Sequence, residues 1–149
     1  NPNPGSVYLD LARYYRTQHG DGYSPFTLSV QAALALDAAL HELADNGGWE
    51  ARRERYREIG QSIRTCLQDA GIQTLIPESE LSSVMASYIL PDNSDYQTLH
   101  DALKERGFVI YAGQGQFSEK IFRIAHMGDI RDEDVRLLNE SLAEYFRAA

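Results

Sequence analysis

Cysteine is nearly absent: Cys66 is the only one in 149 residues, so no internal disulfide can staple the chain. Lysine is scarce too, with only Lys104 and Lys120. No apolar run approaches the roughly 20 residues needed to cross a bilayer, which excludes a helical membrane span. The first residues, Asn1 to Tyr8, have neither the basic flank nor the apolar stretch of a secretion leader, so a cytoplasmic location is expected. Positive charge is also in deficit. Fourteen Lys and Arg stand against 22 Asp and Glu, a net charge of -8, and such a surface repels nucleic acid and anionic membranes. His19, His41, His100 and His126 are too dispersed for a local metal-ligand pattern. Repeats and low-complexity stretches are missing as well.

What remains is an ordinary globular composition, 43% hydrophobic and 24% charged, in a chain long enough to bury a core without staples. Helical patterning from Val7 to Arg16 stops at His19-Gly20-Asp21-Gly22. Ser24-Pro25, with Thr27 as a second possible cap, opens a helix running to about Asn46. That helix has almost no polar side, because Val30, Ala32, Ala33, Leu34, Ala35, Leu36, Ala38, Ala39, Leu40 and Leu43 surround it, and such a helix is expected to be enclosed. Gly47-Gly48 breaks it.

An amphipathic stripe follows through Trp49, Tyr56, Ile59, Ile63, Cys66, Leu67 and Ala70 to a stop at Gly71. Cys66 lies on this stripe and reads as a buried structural thiol rather than a nucleophile. Arg52, Arg53, Arg55 and Arg57 are threaded with Glu50, Glu54 and Glu58 at helical spacings, predicting a solvated, self-neutralising face rather than a binding patch. Strands are predicted at 72–76, 84–90, 108–111 and 121–124. Ser94-x-x-Gln97 announces a helix through Tyr96, Leu99 and Leu103 that ends at Gly107, and a last helix from about Arg131 buries Val135, Leu138, Leu142 and Phe146. The order predicts an α+β fold: a small antiparallel or mixed sheet of about four strands with helices packed on one face.

Strand alternation places Ile121, Arg123 and Ala125 on one face and Phe122, Ile124 and His126 on the other. A permanent cation among apolar neighbours demands an anion, either a ligand or a carboxylate of the chain, unless it snorkels from an edge. Arg123 is thus the first candidate binding residue. Thr27 is either a helix cap or part of an anion site at a helix N-terminus. Gly113-Gln114-Gly115 follows a strand without opening a helix and reads as a plain connecting turn. His126, on the core face, reads as a structural histidine before a base.

Several segments together resemble the C-terminal region of class V pyridoxal-phosphate aminotransferases, with 2-aminoethylphosphonate:pyruvate transaminases nearest in pattern. They are Ser6-Val-Tyr-Leu-Asp-Leu11, Phe26-Thr27, the run from Gly47 to Tyr56, Arg106-Gly-Phe-Val-Ile-Tyr111 and Ile121-Phe-Arg-Ile-Ala-His-Met-Gly-Asp129. The resemblance implies that Arg123 grips the acidic group of the substrate. It also implies that Thr27 reaches the pyridoxal 5'-phosphate of a homodimer across its interface. The partners implied are a small amino donor and a 2-oxo acid acceptor. Tyr111-Ala112-Gly113-Gln114 and Ala125-His126-Met127 depart from the phosphonate-enzyme pattern and leave an alanine:glyoxylate type open.

The lysine that carries the cofactor in such enzymes has no counterpart here, since Lys104 and Lys120 read as surface residues. The chain alone is therefore expected to be inactive. Residues 1–47 are expected to pack on a missing N-terminal large domain, and 48–149 to form the C-terminal small α+β domain. The alternative of another class is a non-catalytic interaction domain that only shares the fold.

Overall fold

A computed structural model describes residues 5–148, so the part of the leader reading that concerns Asn1–Pro4 lies outside the described residues. The chain divides into two compact units, Asn1–Asp45 and Asn46–Ala149.

The first unit holds two helices, α1 (Leu11–Asp21) and α2 (Val30–Asp45). Asp10 caps α1 by accepting from the Arg13 amide at 3.1 Å, and the helix runs through Gly20 to end at Gly22, beyond the stop expected at His19. Tyr8, Tyr14 and Phe26 gather with ring centroids 5.1–6.4 Å apart, and the Arg13 guanidinium lies over the Phe26 ring at 5.3 Å. α2 starts five residues after Pro25, because Ser24 folds back on its own loop, its hydroxyl accepting from the Phe26 amide at 3.4 Å. Ser29 occupies the position before the helix, its carbonyl taking the Ala33 amide at 3.1 Å, so neither Ser24 nor Thr27 is the cap. No residue of α2 is buried, and Leu34 and Leu36 are 64% and 61% exposed.

The second unit runs α3 (Gly48–Asp69), β1 (Met85–Ile89), α4 (Tyr96–Glu105), β2 (Tyr111–Ala112), β3 (Ile121–Ala125) and α5 (Asp132–Ala148), with short 3-10 turns at Glu78–Glu80 and Gly115–Phe117. The strands form one antiparallel sheet in the order β1-β3-β2, with Ser87, Arg123 and Tyr111 abreast. The fold is α+β, as its patterning predicted, with three strands. The expected strand at 72–76 contracts to a single bridge between Thr74 and Tyr88. Thr74 Oγ1 turns onto the Ile76 carbonyl at 2.8 Å, and Pro77 follows without an N–H to continue a ladder. β2 begins at Tyr111 rather than 108 because the Ile110 carbonyl accepts from the Tyr96 hydroxyl at 3.0 Å.

α3 ends as its glycine signal implied: Gly71, at φ 81°, lets the Ile72 amide bond the Leu67 carbonyl at 2.9 Å while its own amide bonds that of Gln68. The same reverse turn closes α4 at Gly107. α4 opens at Asp95, one residue after the predicted Ser94, since the Asp95 carboxylate accepts from the Thr98 amide at 2.8 Å. The apolar stripes of these helices meet the sheet in one core: Ile59, Ile63 and Leu67 from α3, Leu99 and Leu103 from α4, Val135, Leu138 and Leu142 from α5, and Ala86, Tyr88, Phe122 and Ile124 from the strands. Cys66 is half-buried beside it and donates to the Asn139 carbonyl at 3.2 Å; burial raises its thiol pKa, the behaviour of a packing residue. Trp49, expected on the buried stripe of α3, is instead 60% exposed.

Candidate functional site

The helices cover one face of the sheet, the face that carries Phe122 and Ile124, and period-2 alternation turns Arg123 to the other. That second face is apolar and largely uncovered: Met85 and Ile89 on β1 are 37% and 42% exposed and Tyr111 on β2 is 61% exposed. Arg123 sits at its centre, half-buried, on the middle strand. Its Nε donates to the Ala112 carbonyl across the β2–β3 pair at 2.8 Å. One edge of the guanidinium is thereby fixed to backbone. Among the described residues no carboxylate pairs with it, so both terminal nitrogens stay open for a planar acceptor. Of the uses open to Arg123 in the sequence, an ion pair within the described chain is not the one it makes.

α4 braces this arrangement. Tyr96 latches the residue before β2 through the Ile110 carbonyl, and Ala112 in turn holds Arg123. Burial raises the Tyr96 phenol pKa, and the positive charge of Arg123 works against that rise. The turn between β2 and β3 is close-packed at Gly113, whose amide donates to the Ile121 carbonyl at 3.1 Å. It joins two strands, as its pattern predicted.

Thr27 belongs to the first unit, three residues before α2, with an exposed side chain and no hydrogen bond among the described residues. Lys104, in the last turn of α4, and Lys120, before β3, are both exposed. His126 is 1% exposed, with its Nε2 3.0 Å from the Ser83 carbonyl. Burial lowers its pKa, so it is a neutral, packed residue rather than a solvent-facing base.

Sequence reasoning missed Tyr96, the Ala112 carbonyl and Arg64. A backbone carbonyl has no side-chain signature, and Arg64 of α3 gains meaning only through its nearness to His126, where the Arg64 charge depresses the ring further. The arginine run of α3 is only partly self-neutralising. Arg57 pairs with Glu54 at 3.1 Å, while Arg55 reaches Asp132 at the start of α5 at 2.6 Å.

No family model matches the chain. It is 33% identical over 141 residues to a 2-aminoethylphosphonate:pyruvate transaminase of Lysinibacillus sphaericus (strain C3-41), covering 94% of this chain and 38% of that protein. A transaminase of the same name from Bacteroides fragilis is also 33% identical over 141 residues, at 93% and 39% coverage. The chain thus spans about 38% of the length of the curated relatives it matches. In fold it is similar to the alanine–glyoxylate aminotransferase of Nostoc sp., with a TM-score of 0.78, 22% identity, and coverage of 92% of this chain and 37% of that one. By sequence the chain is similar to 2-aminoethylphosphonate:pyruvate transaminases and in fold to an aminotransferase, in each case over little more than a third of the relative's length.

Proposed function

We propose that this chain supplies the substrate-anchoring part of a pyridoxal-phosphate aminotransferase, one that moves an amino group between 2-aminoethylphosphonate, or a similar small acidic amine, and a 2-oxo acid such as pyruvate. The observation that carries this is Arg123: a half-buried guanidinium tied to backbone at Nε alone, centred on an apolar face. A phosphonate or carboxylate that spans its two open nitrogens gains a bidentate, charge-assisted contact beside the apolar side chains of Met85, Ile89 and Tyr111. Arg123 therefore binds and orients the acid end of the substrate, leaving the amino end to the rest of the protein.

The residues present fit the cofactor only in part. Thr27 offers an uncommitted hydroxyl near the start of α2 for the phosphate, but both lysines are exposed surface residues of the second unit. The group that carries pyridoxal phosphate is assigned to the portion of the protein outside this chain, and the chain alone is inactive. The same portion is the natural cover for the exposed leucines of α2, and a homodimer is the assembly in which Thr27 meets the cofactor. A soluble, cytoplasmic enzyme is consistent with helices none of which, among the described residues, is long and apolar enough to cross a membrane. A second reading, an alanine:glyoxylate-type enzyme, rests on Tyr111-Ala112-Gly113-Gln114 and Ala125-His126-Met127, which depart from the phosphonate-enzyme pattern, and keeps the same role for Arg123.

The test is Arg123→Lys in the full-length protein. Lysine keeps the charge and loses the fork, so the Michaelis constant for the amino donor should rise roughly tenfold or more with cofactor loading unchanged. Unchanged Michaelis constants would remove Arg123 from the site.

A further inference from the structure

The main-chain anchor of Arg123 is held by very little sheet. β2 is two residues long and lies at the edge, so only Tyr111 and Ala112 pair with β3. Tyr111 stands opposite Arg123 and the Gly113 amide donates to the Ile121 carbonyl, so in this antiparallel pair Tyr111 and Gly113 turn their main-chain groups toward β3. Ile110 and Ala112 therefore turn theirs to the open edge. Such groups ordinarily go to water or to a further strand.

Here two side chains take them. The Tyr96 hydroxyl donates to the Ile110 carbonyl at 3.0 Å and Arg123 Nε donates to the Ala112 carbonyl at 2.8 Å, so successive acceptors on one edge are filled from a helix and from the middle strand. Tyr96 is itself firmly placed. It opens α4, whose first turn is fixed by the Asp95 carboxylate accepting from the Thr98 amide and hydroxyl at 2.8 and 3.0 Å. One turn on, Leu99 is wholly buried, and the His100 ring tilts against that of Tyr96 with centroids 5.8 Å apart. Burial raises the phenol pKa, and the Ala112 amide and the Arg123 charge pull it back, so the hydroxyl, the β2 edge and the guanidinium share one neighbourhood.

We propose that Tyr96 is a positioning residue for Arg123: it fixes the edge of β2, and with it the Ala112 carbonyl that sets the direction of the guanidinium fork, without touching the substrate. Its role rests on the substrate-anchoring reading of Arg123 and adds the residue that aims the anchor.

The experiment is a double-mutant cycle in the full-length protein, with Tyr96→Phe, Arg123→Lys and the pair compared by steady-state kinetics. Phenylalanine keeps the ring and deletes one hydroxyl. Loss of a hydrogen bond of this kind should raise the Michaelis constant for the amino donor roughly three- to tenfold, with kcat and cofactor loading unchanged. In the Arg123→Lys background there is no fork to aim, and the same substitution should change that constant by less than about twofold. An equal effect in both backgrounds, or a fall in kcat with the Michaelis constant unmoved, would mark Tyr96 as a general brace of the fold and overturn the inference. If Arg123→Lys raises the Michaelis constant and Tyr96→Phe does not, positioning alone fails. If Arg123→Lys moves nothing, the anchoring role falls and this inference with it.

Discussion

Replacing Gly113 with alanine should cost the second unit about 1–3 kcal/mol, the usual range for overpacking a tight interior. A Cβ at this position would lie 2.1 Å from the Phe117 carbonyl oxygen, 2.6 Å from its carbon and 2.7 Å from Ile121 Cγ1, where ordinary contact begins at 3.4 Å. Two of those atoms are backbone and cannot rotate aside, so the turn itself has to move by more than an ångström. Gly113 does not use a left-handed φ, which makes the penalty purely one of space. The movement strains the 3.1 Å bond from the Gly113 amide to Ile121 and, one residue back, the Ala112 carbonyl that holds Arg123. Urea unfolding followed by circular dichroism is the assay, and with a slope of about 1–3 kcal/mol/M the midpoint should fall by roughly 1 M. Gly20→Ala is the control, since nothing lies within 4 Å of a Cβ there. A Gly113→Ala midpoint equal to that of the unchanged chain would show that the turn is looser than its contacts imply.

The Tyr88 hydroxyl is buried without a partner and its pKa is pushed up to about 12 by that burial, so Tyr88→Phe should leave stability unchanged or raise it by about 1–3 kcal/mol in the same urea assay. The Tyr88 ring already stacks on Phe122 at 5.4 Å, and phenylalanine keeps that contact. Leu67→Ala, at a fully buried core position, should lose about 2–5 kcal/mol, measured as the shift in unfolding midpoint. Burial depresses the His126 pKa below its ordinary 6.5, so the unfolded chain binds the extra proton first. Stability contributed by the neutral ring is complete above pH 6.5 and is lost as pH falls below it toward the folded value; His126→Asn should flatten that slope in a pH series of thermal melts.

Long periodic elements were legible because they repeat a signal: the stripe of α3 recurs through Ile59, Ile63 and Leu67, and the residue that stops it, Gly71, is also the residue its geometry needs. Boundaries were less so where two chemically equivalent residues sit side by side. Ser94 and Asp95 both qualify as caps, and only the folded turn decides for the carboxylate. The strand expected at 72–76 failed because its partner is present for one bridge only, which depends on where Pro77 turns the chain relative to β1. At the site, alternation alone was enough to turn Arg123 away from the core. What holds it, a main-chain oxygen on a neighbouring strand, depends on the pairing register of β2 and β3, which residue identities do not encode locally. α2 was correctly read as apolar all round, but that reading says nothing about what meets it.

β3 is a strip in which Arg123 and Ala125 lie on the less covered side while Phe122 and Ile124 face the protein's interior. Sliding it by one residue against β1 and β2 would drive a permanent charge into the hydrocarbon of Leu67, Leu99 and Leu142 while casting Phe122 and Ile124 into water. The arginine thus penalises a one-residue slip and helps to fix the register of the sheet.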